Sequence, residues 1–119
     1  MIVLDIPRAT PSLNATRWKH WRVAYREKQL WQQEVRAARL KAGHYRPVAP
    51  RRARVTVERY GRELDPDNFV GGLKSILDSL RLEGLIADDN PNSLELVPRQ
   101  FAGKPRTVIT VESLGSKIT

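Results

Sequence analysis

Four short segments have the alternation of apolar and other residues that is typical of strands with one buried face. They are residues 2–6, 54–62, 94–101 and 106–111. Pro7 ends the first segment, because proline cannot donate a hydrogen bond inside a sheet. Only four residues, including Gly103 and Pro105, separate the last two segments. This spacing predicts a hairpin of the final two strands.

Residues 18–42 have apolar positions at helical spacing and contain no proline or glycine. The helix they predict stops at Gly43, because glycine is favoured just past a helix end. Its predicted buried stripe consists of Trp31, Val35, Ala38 and Ala42, supported by Leu30 and Ala37.

A second helix is predicted after Asp65-Pro66. Asp65 is a typical N-cap residue, and proline is favoured at the first helical position. The residues that recur at helical spacing and face the core are Phe69, Leu73, Ile76 and Leu80. Gly84 ends the helix. The order strand, helix, strand, helix, strand, strand predicts an α+β fold with a small mixed β-sheet and two main helices, in one domain spanning residues 1–119.

The predicted second helix contains two adjacent glycines, Gly71 and Gly72. Each costs about 1 kcal/mol relative to alanine inside a helix. We expect close packing of another helix, for instance from a second subunit, or close approach of a nucleic-acid backbone to account for this pair.

Charge is distributed in blocks along the chain, which has a net charge of +8. Residues 1–54 carry a net charge of +10, residues 55–95 a net charge of −5 and residues 96–119 a net charge of +3. A basic surface attracts a polyanion, whereas an acidic centre repels it. Divalent cations held by the carboxylates would resolve this conflict, because they bind acid and phosphate together. Solvated surface charge is the simpler interpretation of any single aspartate.

The acidic centre contains two pairs of aspartates on either side of the second helix. Asp65 and Asp67 precede or begin the helix, and Asp88 and Asp89 follow it. We expect these carboxylates to converge on one cation. The alternative is that Asp65 is only a helix cap and that Asp88-Asp89-Asn90-Pro91 is only a turn. Lys74 has the spacing of an ion pair with Asp78, four residues later.

Cations alternate with aromatic residues before and at the start of the first helix. The cluster consists of Arg17, Trp18, Lys19, His20, Trp21, Arg22, Tyr25 and Arg26. This composition suits phosphate contacts combined with stacking on bases. The alternative is that the tryptophans belong to the core and the cations only solvate the helix.

Several other chemistries are excluded by composition. The chain has no cysteine, and its two histidines have no metal-ligand spacing, so a thiol enzyme or a zinc enzyme is not expected. An EF-hand counted from Asp65 has Val70 at its sixth position and Ile76 at its twelfth, so the required Gly and Glu are absent. No phosphate-binding loop and no Gly-x-Ser-x-Gly motif is present. We expect a cytoplasmic protein with no membrane span.

Taken together, several features resemble the RusA family of Holliday junction resolvases: the Asp65-x-Asp67-Asn68 motif, Lys74 and Asp78, Asp88-Asp89, the N-terminal Pro11-Ser12-x-Asn14 and the predicted closing hairpin. The resemblance covers nearly the whole chain. It implies a homodimeric, Mg²⁺-dependent endonuclease that makes paired symmetric nicks in four-way DNA junctions during recombination and repair. One departure concerns the lysine. The family motif has it one turn after the second aspartate, where this chain has Gly71, and Lys74 instead keeps the spacing to Asp78.

The resemblance assigns roles to individual residues. It implies that Asp65, Asp67 and Asp89 bind the metal and that Lys74 is also catalytic. The DNA-binding residues that we predict are Asn14, Arg17, Lys19, Arg22, Arg26 and Asn68. Two alternatives remain open, namely a non-catalytic basic DNA-binding module and a nuclease that acts on other branched DNA.

Overall fold

The computed structural model describes residues 1–12 and 21–114. In this part of the chain, four strands and three helices follow one another as β1 (Ile2–Ile6), α1 (Trp21–Lys41), β2 (Ala53–Tyr60), α2 (Pro66–Gly71), α3 (Lys74–Leu82), β3 (Leu94–Phe101) and β4 (Arg106–Ser113). The strands form one mixed sheet. The predicted α+β fold class is therefore confirmed.

The strand order in the sheet is β1-β4-β2-β3. β2 pairs antiparallel with β4 and parallel with β3, and β4 pairs antiparallel with β1. The predicted β3–β4 hairpin is wrong, because β2 lies between these two strands. Four residues can span the two strand spacings of about 4.8 Å each that this arrangement requires. Strand β2, whose alternate residues are buried, thus lies between the two strands that were predicted to pair with each other.

Alternation along β2 sets one face of the sheet against the helices. Ala53, Val55 and Val57 are completely buried, and in the central register Val57 lies opposite Ile109, which lies opposite Leu4. The helices complete this core with Trp31, Val35, Phe69, Leu73, Ile76 and Leu80. Each apolar side chain of this size stabilises the fold by about 1.5–3 kcal/mol when it is fully buried.

Helix α1 buries a narrower stripe than predicted. Trp31, Val35 and Ala38 are buried as expected, whereas Ala37 and Ala42 are exposed. Ala42 lies beyond the last residue of the helix, where the chain turns away from the core. The predicted stop at Gly43 is confirmed: its φ of 88° is left-handed, and His44 N–H donates to the Arg39 carbonyl.

The predicted second helix is divided into α2 and α3 at Gly72 and Leu73. Leu73 N–H donates to the Val70 carbonyl, three residues back, so the turn is tighter than an α-helix. A Cβ atom on Gly72 would lie 1.8 Å from the carbonyl oxygen of Pro11. The close approach that requires this glycine therefore comes from the N-terminal segment of the same chain. Our expectation that another helix or a nucleic-acid backbone requires it is wrong for Gly72.

Candidate metal and nucleic-acid site

Asp65 is the N-cap of α2, as its sequence position predicts. Its Oδ1 accepts a hydrogen bond of 2.9 Å from the Asn68 backbone N–H, and its Oδ2 accepts one of 2.8 Å from Asn68 Nδ2. Pro66 occupies the first turn, where its missing N–H costs nothing. Each carboxylate oxygen still has a lone pair to offer, because an ionised carboxylate has about four acceptor positions. The Asp65 carboxylate can therefore bind a cation while it caps the helix.

Asp67 lies in the first turn of α2 and is exposed. Among the described residues, its carboxylate has neither a hydrogen-bond donor nor an ion-pair partner. The segment just before it is held firmly, since the Gln100 side chain donates to the Leu64 carbonyl and accepts from the Leu64 N–H. Within the described part of the chain, Asp67 therefore offers an exposed carboxylate next to a backbone segment that Gln100 holds.

Lys74 connects the start of α3 to the loop that precedes β3. Its Nζ lies 3.4 Å from Asp78 Oδ1 and 3.4 Å from Asp89 Oδ2. The negative charge of Asp78, with a smaller contribution from Asp89, raises the pKa of the Lys74 ammonium, so this group stays protonated at neutral pH. The predicted ion pair with Asp78 is confirmed. The contact with Asp89, fifteen residues away, depends on the tertiary fold.

Asp88 and Asp89 lie in a loop that leads into a hydrogen-bonded turn, in which the Ser93 N–H donates to the Asn90 carbonyl. Asp88 Oδ1 accepts from the Asp89 backbone N–H at 2.8 Å, and this hydrogen bond lowers the pKa of the Asp88 carboxyl. Asn90 Oδ1 in turn accepts from the backbone N–H groups of Asn92 and Ser93. In this loop the Asp89 carboxylate lies within 3.4 Å of Lys74 Nζ.

The predicted site residues thus occupy two places. Asp65 and Asp67 lie at the start of α2, whereas Lys74, Asp78 and Asp89 form a second group at the start of α3. Across residues 1–12 and 21–114, no three or more Asp, Glu or His side chains lie close enough together to hold a metal ion. That Asp89 shares an ion with Asp65 and Asp67 stays a prediction.

The first turns of α1 present aromatic and cationic side chains to solvent. Trp21 is 66% exposed and Tyr25 is 58% exposed, so neither belongs to the core. The Arg22 guanidinium lies 5.3 Å from the centre of the Trp21 ring, and Arg26 is exposed one turn further along. These side chains of α1 are therefore not part of the core, and that they bind DNA stays a prediction.

A cleft of about 350 Å³ lies between α1 and α3 and extends from Tyr25 to Asp78, the ion-pair partner of Lys74. Its lining includes Tyr25, Lys28 and Asp78. Lys28 Nζ is 3.9 Å from Asp78 Oδ2, so two lysines from different helices flank one carboxylate. Lys28 therefore extends the cationic surface of α1 as far as Asp78.

Three of the predicted DNA-binding residues, Asn14, Arg17 and Lys19, lie outside the described residues. A fourth, Asn68, is partly buried and uses its amide to bind Asp65. Of the predicted set, Arg22 and Arg26 are the cations whose exposure the structure establishes.

Comparison with known proteins does not assign this chain to a family. No protein-family model and no curated protein matches this chain. Among the described helices, none is both long enough and apolar enough to cross a membrane.

Two buried charged residues escaped the sequence analysis. Glu83 is bound by Arg36, Arg39 and Gln32 of α1, and Arg59 lies on the core face of β2. Periodicity contained a signal for both. Glu83 continues the helical spacing of the buried residues of α3, and Arg59 continues the alternation of buried residues along β2.

Proposed function

We propose that this chain is a Mg²⁺-dependent, structure-specific endodeoxyribonuclease of the RusA type, which resolves four-way DNA junctions as a homodimer. The observation that carries the proposal is the contact of Lys74 with Asp89. It joins the helix lysine and the loop carboxylate to which the resemblance assigns catalytic roles, although they are fifteen residues apart. The cytoplasmic location expected from the sequence remains part of this proposal.

The carboxylates suit magnesium in type and number. In phosphoryl-transfer sites, Mg²⁺ is commonly held by one or two carboxylates and completes its shell with water and phosphate. Asp65 and Asp67 supply two exposed carboxylates on a backbone that Gln100 holds in place. When bound, the ion would supply a hydroxide nucleophile at neutral pH and neutralise charge on the phosphate.

The chain's own residues account for the remaining requirements. Protonated Lys74 can offset the charge that develops on the phosphate or orient the attacking water. Arg22 and Arg26 attract the DNA backbone, and the exposed rings of Trp21 and Tyr25 provide stacking surfaces for unpaired bases at a branch point. A C₂ dimer would present two such sites to two symmetry-related strands of a junction.

A non-catalytic DNA-binding module is the second candidate. The observation in its favour is that Asp65 acts as a helix cap and that Asp88 accepts a hydrogen bond from the Asp89 backbone N–H within its own loop. Both roles are complete without metal. Under this alternative the basic surface of α1 would bind DNA and the acids would serve only local structure.

The deciding experiment incubates the protein with a labelled four-way junction, a flap and a linear duplex, each with and without Mg²⁺. We expect paired nicks at symmetry-related positions of the junction, only when Mg²⁺ is present, and little cutting of the linear duplex. Binding of the junction without any cutting would support the non-catalytic module. Equal cutting of the flap would indicate a nuclease for branched DNA in general.

A further inference from the structure

We propose that Arg59 is a positioning residue, which fixes the position of the N-terminal segment relative to the segment that carries Asp65 and Asp67. The inference rests on the proposed function for its cleavage measurement, but not for its structural measurement. Arg59 is the second-last residue of β2 and lies on the core face of the strand, where its neighbours at alternate positions are aliphatic.

The Arg59 side chain binds two different loops. Its Nε donates to the carbonyl of Thr10 at 2.9 Å, and its Nη1 donates to the carbonyl of Arg62 at 2.5 Å. Thr10 belongs to the segment after β1, and Arg62 lies three residues before Asp65. One planar guanidinium therefore connects the segment after β1 to the segment that leads to Asp65.

Burial makes this an unusual use of an arginine. Only 7% of Arg59 is exposed, and the ion pairs within the described residues include none to its guanidinium. Burial lowers the pKa of Arg59, as expected for a cation that has lost water without gaining a carboxylate. A buried charge is costly unless its donors are used, and here two of them bind the backbone carbonyls of Thr10 and Arg62.

Contacts on both sides carry the effect of Arg59 to the candidate site. Beyond Thr10, the Pro11 carbonyl packs against Gly72 so closely that no side chain fits at the junction of α2 and α3. Beyond Arg62, Leu64 is clamped by Gln100 immediately before Asp65. A shift of either loop would consequently move the helix that carries Asp67 relative to the one that begins at Lys74.

The test compares Arg59→Met and Arg59→Lys with a matched control, Arg54→Met. Methionine keeps much of the packing volume but cannot donate, and lysine keeps the charge but lacks the planar fork that reaches two carbonyls. Arg54 lies on the same strand but on the opposite face, where it forms a part-exposed ion pair with Glu95. Arginine is thus lost from β2 in both methionine variants, and only one of them frees the loops.

The first measurement is amide hydrogen exchange in the full chain without DNA or metal. The reporters are the hydrogen-bonded amides of Arg8, Gly61 and Leu64, with Leu94 as the distant reference. We expect exchange at the three reporters to rise about tenfold in Arg59→Met, and to a lesser extent in Arg59→Lys, with no change at Leu94. Unchanged reporters in either folded variant, or an equal rise at Leu94, would overturn the proposal.

The second measurement separates positioning from binding. At saturating junction and a temperature at which each variant is folded, we expect Arg59→Met to slow single-turnover cleavage by about tenfold to a hundredfold, because small displacements of reacting groups have effects of that size. Junction affinity should change by less than about threefold, and Arg54→Met should cleave normally. Normal cleavage by folded Arg59→Met would count against the role. If the unaltered protein does not cut, the proposed function fails, and the exchange measurement still decides on Arg59.

Discussion

Two acidic residues of this molecule, Glu83 and Asp67, differ in burial and in the contacts of their carboxylates. The Glu83 side chain is 3% exposed and receives hydrogen bonds from Arg36, Arg39 and Gln32. Asp67, at the start of α2, is exposed and has no partner among the described residues. The Glu83 carboxylate is saturated by the protein and stabilises the contact of α1 with α3. Within residues 1–12 and 21–114, no contact of the Asp67 carboxylate competes with a cation, as the proposed metal-binding role requires.

The largest effect is expected from Asp67→Asn. The substitution removes charge but little volume at an exposed position, so the fold should be unaffected. Cleavage of a four-way junction in Mg²⁺ should fall by about a hundredfold or more, in line with the loss of other groups that stabilise transition-state charge. Junction affinity, measured without cleavage, should be unchanged or higher because one negative charge is lost. Glu63→Gln, an exposed acid nearby, is the control and should cut normally. Loss of binding together with cutting in a folded protein would contradict this division of roles.

Glu83→Gln tests the opposite side of the comparison. It leaves Arg36 and Arg39 without their buried counter-charge, so the free energy of unfolding should fall by about 3 kcal/mol. Urea denaturation measures this change. Glu95→Gln is the matched control, because its partner Arg54 is part exposed and the pair should contribute less than about 1 kcal/mol. Equal losses in the two variants would show that burial of Glu83 adds nothing.

The buried Glu83 carboxylate should also make the free energy of unfolding depend on pH in the acid range. Burial alone would raise the pKa of Glu83, but hydrogen bonds from Arg36, Gln32 and Arg39 outweigh it and lower the pKa from 4.5 to about 2. A lowered pKa stabilises the folded state fully above pH 4.5, and this stability is lost as the pH falls towards 2. Between pH 6 and pH 3, the unaltered protein should lose about 2 kcal/mol more than Glu83→Gln does. Parallel curves of unfolding free energy against pH for the two proteins would refute this assignment.

The smallest effect separates the two roles of Asp65. Asp65→Ala removes the helix cap and should lower the free energy of unfolding by about 1 kcal/mol, whereas Asp65→Asn keeps a capping side chain and should be nearly neutral. Both should lose Mg²⁺-dependent cleavage if Asp65 is a metal ligand. Thermal denaturation and the junction assay together distinguish these outcomes. Normal cleavage by Asp65→Asn would leave Asp65 as a cap alone.

Local chemistry was sufficient for much of the fold. The alternation of Ile2, Leu4 and Ile6 predicts β1, and Asp65-Pro66 predicts the start of α2, because these features depend on the periodicity and capping of a few adjacent residues. The apolar spacing of residues 69–80 identifies the buried face correctly although the helix is divided. The i,i+4 pair of Lys74 with Asp78 also follows from sequence spacing alone.

Other features depended on contacts between residues far apart in the chain. No local pattern places β2 between β3 and β4, since sheet order is decided by which strand buries its face best. Gly72 is required because the Pro11 carbonyl packs against it, and Asp89, the second partner of Lys74, is fifteen residues away in the chain. The sequence by itself determined the elements, the acidic centre and the basic N-terminal half. Periodicity places Glu83 and Arg59 on buried faces, but only tertiary packing decided that they can stay there as charged groups, because the cost of burying a charge depends on the donors and acceptors that the fold brings to it.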